Sequence, residues 1–437
     1  MDKDINEDTY RILAKGSMRS NDTRKTGINN NDLIIGPSGS GKTRSYVIPN
    51  ILQANESMII ADTKGDLAAA FKPYLEKKGF KVMVMDFKNT LNSCGFDPLD
   101  NIRYDPETDR YNEQDILKLA CCIAPDLSDK EPFWDQQGRT LLVALVAYIL
   151  ERAAPEDRNL VSVRKLFSVW SRQTAEKIFA EVERTDPESF ALSKYRLIRR
   201  NSDAEKMSAS IEAFTAQALD IFAFDGTKRM ITNPDKIDIR SIGREKTALF
   251  LNISDTDRSM DRLVNVFYTQ ALQMLCEEAE RQPGCRLPVP VRFIMDDFAT
   301  NAKVPDFDKL ISVIRSRQIS VSIVVQSITQ LDGIYGPDKA RTIINNCDTM
   351  LYLGGQDIKT ADMVSVKANV PLNSILDMST KDAWLFTRGG PGERVIKYNT
   401  ARHPEYVNVM DAFGDDGSVE NEDIPEEEKM TFGFCMG

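Results

Sequence analysis

The chain has 437 residues, of which 42% are hydrophobic and 28% charged, with a formal net charge of −10. Its length suits about three average domains, or one large domain with an insertion, and the composition is that of a globular protein with a sizeable core. The acidity excludes a chain that coats duplex DNA over its whole surface, and no apolar run reaches the ~18 residues of a membrane-crossing helix.

Residues 1–30 are polar and weakly patterned, and are expected to form a lead-in. The N-terminus is charged (Asp2, Lys3, Asp4) and shows no signal-peptide core. Leu33-Ile34-Ile35 then reads as a short buried strand. It runs into Gly36-Pro37-Ser38-Gly39-Ser40-Gly41-Lys42-Thr43, which matches GxxxxGK[ST], the phosphate-binding loop of nucleoside triphosphatases. The glycines let the backbone curl so that its N–H groups face phosphate oxygens, and a helix beginning at Thr43-Arg44 adds a favourable dipole. Lys42 is expected to reach the β and γ phosphates and Thr43 to bind Mg²⁺, so Gly36 to Arg44 is the candidate ATP-binding stretch.

Ser57 to Asp62 and Lys81 to Asp86 are apolar runs ending in an acid, as at the carboxyl end of a buried strand, and Leu67 to Lys78 between them is helical. This alternation predicts an α/β domain with a parallel sheet. From about Tyr111 to Phe224 helical periodicity takes over, which predicts an all-α insertion over 111–224 within an α/β domain made of 31–110 and 225–410. Further strands are expected at Thr247 to Ile253, Val291 to Asp296, Ile319 to Gln326 and Thr349 to Leu353, with a long amphipathic helix from Asp261 to Arg281. Residues 411–437 are acidic, poor in apolar residues and expected to be a disordered tail, although Phe432, Phe434 and Met436 at its end leave a docking role open.

A phosphate loop needs an acid for Mg²⁺, a group that activates water, and a sensor of the γ phosphate. Asp296 and Asp297, at the end of Phe293-Ile294-Met295, supply the first two, and Gln326 at the end of the next strand is placed for the third. Arg315 and Arg317 are arginines suited to charge that builds on a transferring phosphoryl group, with ordinary exposed arginines as the alternative. Lys194, Arg196, Arg199 and Arg200, with Tyr195 among them, read either as a solvated helix face or as contacts to DNA phosphates. Lys64 and Asp66 follow the second strand at the edge where nucleotides bind. Seven cysteines without CxxC spacing and a single histidine, His403, offer no zinc site; the thiols suit a reducing compartment, and His403 reads as structural or solvent-facing.

Several motifs occur together and in order: Gly36 to Thr43, Asp62-Thr63-Lys64-Gly65-Asp66, Phe96-Asp97-Pro98-Leu99, Pro132-Phe133-Trp134, Phe293 to Ala299, and Gln326-Ser327 with Gln330-Leu331 and Tyr335-Gly336. In these the chain resembles the type IV coupling proteins, the conjugative DNA-transfer ATPases of the TraG/TraD type, over roughly residues 32–400. The resemblance implies a RecA-like motor domain with an all-α insert. It also implies assembly as a homo-hexamer when active, with a monomer as the alternative for the isolated chain, ATP and Mg²⁺ as cofactors, and Arg315 as an intersubunit arginine. The implied partners are a relaxase on single-stranded DNA, with double-stranded DNA left open, and the components of a secretion channel at the inner face of the membrane. Two features depart from the family pattern. Family members usually carry Asp-Glu where this chain has Asp296-Asp297, and most carry an N-terminal membrane anchor, so a truncated form and a cytoplasmic anchorless variant recruited to the membrane are both expectations. A nucleotide-bound substrate receptor with little turnover, and a related secretion-energising or DNA-pumping ring ATPase, are the alternatives.

Overall fold

The computed structural model describes residues 9–125, 132–201, 205–298 and 303–413. Its centre is a nine-stranded sheet. In chain order the strands of the molecule are β1 (Tyr10–Ala14), β2 (Ser17–Ser20), β3 (Asp32–Ile35), β4 (Ser57–Asp62), β5 (Lys81–Asp86), β6 (Tyr104–Asp105), β7 (Arg110–Tyr111), β8 (Thr247–Asn252), β9 (Val291–Met295), β10 (Ile319–Val325), β11 (Thr349–Tyr352), β12 (Asp382–Thr387) and β13 (Glu393–Ile396). The sheet order is β13-β12-β11-β3-β10-β9-β4-β8-β5. From β11 to β5 every pairing is parallel, while β12 and β13 run antiparallel at one edge.

The central strands are continuous apolar runs because helices cover both faces of the sheet. Alternation along β3 shows the two faces. Leu33 and Ile35 join one core, and Ile34 joins the other. The first core runs without a break into the helical region, which contains Glu113–Ile123, Pro132–Arg152, Leu160–Ser168, Arg172–Thr185, Phe190–Asn201 and Glu205–Leu219. Helix Asp261–Arg281 packs there as well, with Phe267 edge-on to Phe96 at 5.4 Å. The turn Pro98–Asn101 is tied to that helix, since Gln270 Nε2 donates to the Pro98 carbonyl. Asp97 precedes the turn and accepts from Leu99 N at 3.1 Å, and its burial pushes the carboxyl up to about 7.

The structure corrects several expectations. Of the expected lead-in 1–30, residues 9–30 are more than a polar segment, because β1 and β2 pair as an antiparallel hairpin and Arg11, Ile12, Leu13 and Ala14 are buried. The reason is charge pairing: the Arg11 guanidinium forms an ion pair with Asp32 at 2.9 Å, so a polar segment reaches the interior. The edge strands β12 and β13 were not anticipated. The helix after the phosphate loop opens with a π turn over Thr43–Val47, in which Ile48 N–H donates to the Thr43 carbonyl. Pro49 follows directly and has no N–H for the usual ladder. At the C-terminus, Met410–Phe413 is a helical turn whose Phe413 ring lies 6.0 Å from Phe71; the remainder of the expected tail, 414–437, lies outside the described residues. Among the described residues no helix is long and apolar enough to cross a membrane.

Candidate functional site

The candidate site lies at the carboxyl ends of β3, β10 and β9. The loop Gly36 to Lys42 leaves β3, and the first helical turn begins at Thr43. Gly39 and Gly41 have φ of +77° and +88°, values that glycine adopts without strain. Gly36 is constrained by space: a Cβ there would meet Ser40 Oγ at 2.4 Å. Lys42 is 8% exposed, and its Nζ donates to the Gly36 carbonyl at 2.8 Å and to the Pro37 carbonyl at 3.1 Å. Ser40 Oγ is buried with no hydrogen-bond partner among the described residues, an orphaned polar atom inside the loop.

The strand carrying Asp296 is not the neighbour of the loop strand, because β10 lies between β3 and β9. The side chains nevertheless meet across it, with Thr43 Oγ1 donating to Asp296 Oδ2 at 2.8 Å. Asp296 is 7% exposed. Burial raises its pKa, and the Asp297 charge adds to that, while the Thr43 hydrogen bond and the Lys42 ammonium act in the opposite sense. Asp297 is partly exposed with φ +49°, a conformation uncommon for a side chain with a Cβ, and its N–H donates to Asp296 Oδ1 at 3.1 Å. Gln326 is exposed at the carboxyl end of β10, between the loop and Asp296, and its N–H donates to Gln330 Oε1 at 3.0 Å. Tyr335 stacks on Phe298 at 5.9 Å and accepts from Val304 N at 3.0 Å, which anchors the chain on both sides of 299–302. Ala299, part of the sequence motif here, lies outside the described residues.

The remaining sequence candidates fall elsewhere. Arg44 is exposed in the first turn after the loop. Arg315 is exposed just before β10, at its amino end, so the length of a seven-residue strand, about 23 Å, separates it from its own phosphate loop. Arg317 donates to Glu280 at 2.6 Å and to the Val313 carbonyl, a structural role. Asp62 caps helix Asp66–Lys77 by accepting from Gly65 N at 2.8 Å and Ala68 N at 3.1 Å, whereas Lys64 and Asp66 are exposed beside it. In the helical region Tyr195 is buried and stacks on Phe179 at 4.1 Å, and Arg196 pairs with Glu183 at 2.6 Å, so part of the basic cluster is committed to packing. His403 is buried, its Nδ1 accepts from Glu405 N, and burial lowers its pKa.

Sequence reasoning missed Lys397. It follows β13, far along the chain from the loop, and its Nζ donates to the Ser40 carbonyl at 3.0 Å and the Leu353 carbonyl at 2.9 Å. No motif surrounds it, and only the sheet order brings it to the loop.

The arrangement suits a triphosphate with one hard divalent cation. Backbone N–H groups, a helix start, Lys42 and the orphaned Ser40 hydroxyl make an anion cradle. Thr43 and Asp296 would supply the one or two protein oxygens that Mg²⁺ takes beside phosphate and water. Among the described residues no group of three or more His, Cys, Asp or Glu could hold a metal.

Comparison with known proteins places the chain in a family. The profile described as "Type IV secretory system Conjugative DNA transfer" matches residues 3–368. The conjugal transfer protein TraG of Escherichia coli is 23% identical over 355 residues, covering 76% of this chain and 54% of its own. Protein VirD4 of Rhizobium radiobacter is 23% identical over 341 residues, covering 76% and 47%. The chain therefore spans about half the length of these relatives. The bacterial conjugative coupling protein TrwBdeltaN70, in a trigonal form with sulphate, superposes with a TM-score of 0.68 at 17% identity over 90% of this chain and 91% of that one. TrwB solved in complex with ADP and Mg²⁺ gives a TM-score of 0.66 at 16% identity, covering 90% of each chain. The fold is accordingly that of these solved structures, a large and mainly parallel sheet with helices.

Proposed function

We propose, from the premise that this chain belongs to the type IV secretory system conjugative DNA transfer family, that it is the ATP-hydrolysing coupling protein of a conjugation system. It recruits a relaxase bound to single-stranded DNA and drives its transfer to the secretion channel, working as a homo-hexameric ring at the cytoplasmic face of the membrane. The observation that carries the reading is the contact between Thr43 Oγ1 and Asp296 Oδ2, which joins the phosphate loop to an acid two strands away.

In this reading the loop N–H groups and Lys42 bind the β and γ phosphates of ATP. Thr43 and Asp296 would hold Mg²⁺, which when bound would neutralise charge on the phosphate oxygens. Asp297 polarises a water whose oxygen bonds to the γ phosphorus as the bond to the bridging oxygen of ADP breaks. Gln326 hydrogen-bonds the γ phosphate or that water. Arg315 lies at the wrong end of β10 to serve its own loop, and in a ring it stabilises charge on the nucleotide of the next subunit. The negative overall charge keeps DNA contact local to the ring's channel, so binding by the monomer is weak and salt-sensitive.

The test is ATP hydrolysis with and without single-stranded DNA over a range of protein concentrations, beside Lys42→Ala. A rate that rises with concentration and DNA, and falls by about 10²–10³-fold in the variant, supports the motor. Tight ATP binding without turnover under every condition supports the receptor instead.

A further inference from the structure

The segment that follows β13 crosses the outside of the phosphate loop. Its backbone is anchored at Lys397, whose N–H donates to the Lys381 carbonyl at 3.0 Å. From there Lys397 Nζ reaches the Ser40 carbonyl at 3.0 Å and the Leu353 carbonyl at 2.9 Å. Three residues on, the buried Thr400 Oγ1 donates to the Arg44 carbonyl, at the first turn of the helix after the loop. One short stretch therefore grips the loop before Lys42 and the helix after it. Lys397 and Thr400 both lie beyond 3–368, the part of the chain that the family profile matches.

We propose that residues 397–400 are a strap that sets the anion-binding shape of the phosphate loop, with Lys397 as its positioning residue. A peptide carbonyl and the N–H of the next residue point in opposite directions, because the peptide unit is planar and trans. Holding the Ser40 carbonyl outward by an ammonium turns the Gly41 N–H toward the interior of the loop. The Leu353 carbonyl gives the same ammonium a second, fixed anchor at the end of β11, where Leu353 N–H already donates to the Ile35 carbonyl of the loop strand at 2.8 Å. Gly36 leaves little slack beneath, since a Cβ there would lie 3.1 Å from Leu353 Cβ. Lys42 holds the Gly36 and Pro37 carbonyls from within, and Lys397 holds the Ser40 carbonyl from without. Burial lowers the Lys397 pKa, which agrees with an ammonium enclosed between carbonyls rather than one extended into water.

The inference rests on the nucleotide-binding reading above. Its test is equilibrium binding of the non-hydrolysable analogue ADPNP with Mg²⁺ to the full chain, together with the melting temperature of each protein without nucleotide. Lys397→Met is expected to weaken ADPNP binding about tenfold or more, as the loss of charge-assisted hydrogen bonds implies, while the nucleotide-free melting temperature moves little. Lys397→Arg, which keeps the charge and the donors, is expected to recover most of the affinity. Thr400→Val is expected to weaken binding about threefold, as the loss of one neutral hydrogen bond implies, and it carries the test if Lys397→Met does not fold. Folded Lys397→Met binding ADPNP as tightly as the wild type overturns the proposal, as does unaltered binding by Thr400→Val where that variant decides. A wild-type chain that binds no ADPNP overturns the nucleotide-binding reading itself, which keeps the two failures apart.

Discussion

The two ends of the same parallel strands carry charge in opposite ways. At the amino ends of β3 and β9 the charges are enclosed. Arg11 pairs with Asp32 at 2.9 Å, Arg292 with Glu56 at 2.5 Å and with Asp32 at 3.4 Å, and Tyr46 donates to Asp32 at 2.6 Å. At the carboxyl ends Lys42, Thr43, Asp296 and Asp297 are grouped around a loop whose Ser40 hydroxyl has no partner among the described residues. Buried ions that pair with one another hold a hairpin against a sheet, although Arg292 Nη2, like Ser40 Oγ, has no partner among the described residues. A cluster with an orphaned donor and a curled backbone has capacity for an anion. Being charged and buried does not distinguish a functional site from a structural one. The distinction lies in the backbone beside the charges, which at the carboxyl ends is a glycine-rich loop with φ of +77° and +88° at Gly39 and Gly41.

The comparison can be broken most sharply by Arg315. It lies near the amino ends yet is assigned to the chemistry of a neighbour's carboxyl end. Arg315→Ala is expected to lower ATP turnover about 10³-fold under assembling conditions, with ADPNP affinity of the isolated chain unchanged. Equal turnover by variant and wild type would return Arg315 to the structural edge. Next in size, Arg292→Met leaves Glu56 buried without its cation and is expected to cost about 3–5 kcal/mol in urea unfolding. An unchanged unfolding midpoint would mean that the amino-end cluster does not hold the fold.

Asp297→Asn sharpens the other side. It removes the proposed proton acceptor while keeping the shape, so kcat is expected to fall about 10²-fold with ADPNP affinity retained; a loss of affinity instead would assign Asp297 to binding. The smallest effect is expected at Asp97, a buried acid that belongs to neither end. Its folded-state pKa of about 7 lies above the ordinary carboxyl value. Folding therefore favours its protonated form, and its contribution to stability is full below about pH 4 and lost as pH rises through about 7. Asp97→Asn cannot ionise, so the difference in unfolding free energy between variant and wild type should shift in the variant's favour from about pH 5 to about pH 8. A difference that stays flat across that interval would show that the carboxyl titrates normally.

Much of the sheet was legible before folding. Ser57–Asp62 and Lys81–Asp86 were read with the bounds that the structure has, because strands covered on both faces appear as unbroken apolar runs. Helix Asp261–Arg281 was equally plain, its apolar stripe being long enough to show its period. The hairpin of β1 and β2 was hidden because a paired arginine is as buried as a leucine yet looks polar in sequence. The edge strands β12 and β13 carried no motif that drew attention to them.

The sequence by itself determined the local chemistry. A glycine-rich turn between a buried strand and a helix, with Lys42 and Thr43 at its end, follows from residues next to one another and from the φ that only glycine adopts readily. Only the tertiary structure decided which distant residues join it. It inserted β10 between the loop strand and the Asp296 strand, set Arg315 at the far end of β10 and brought Lys397 against the Ser40 carbonyl. Strand order depends on how whole faces bury one another, and the neighbours it creates leave no pattern in the local sequence.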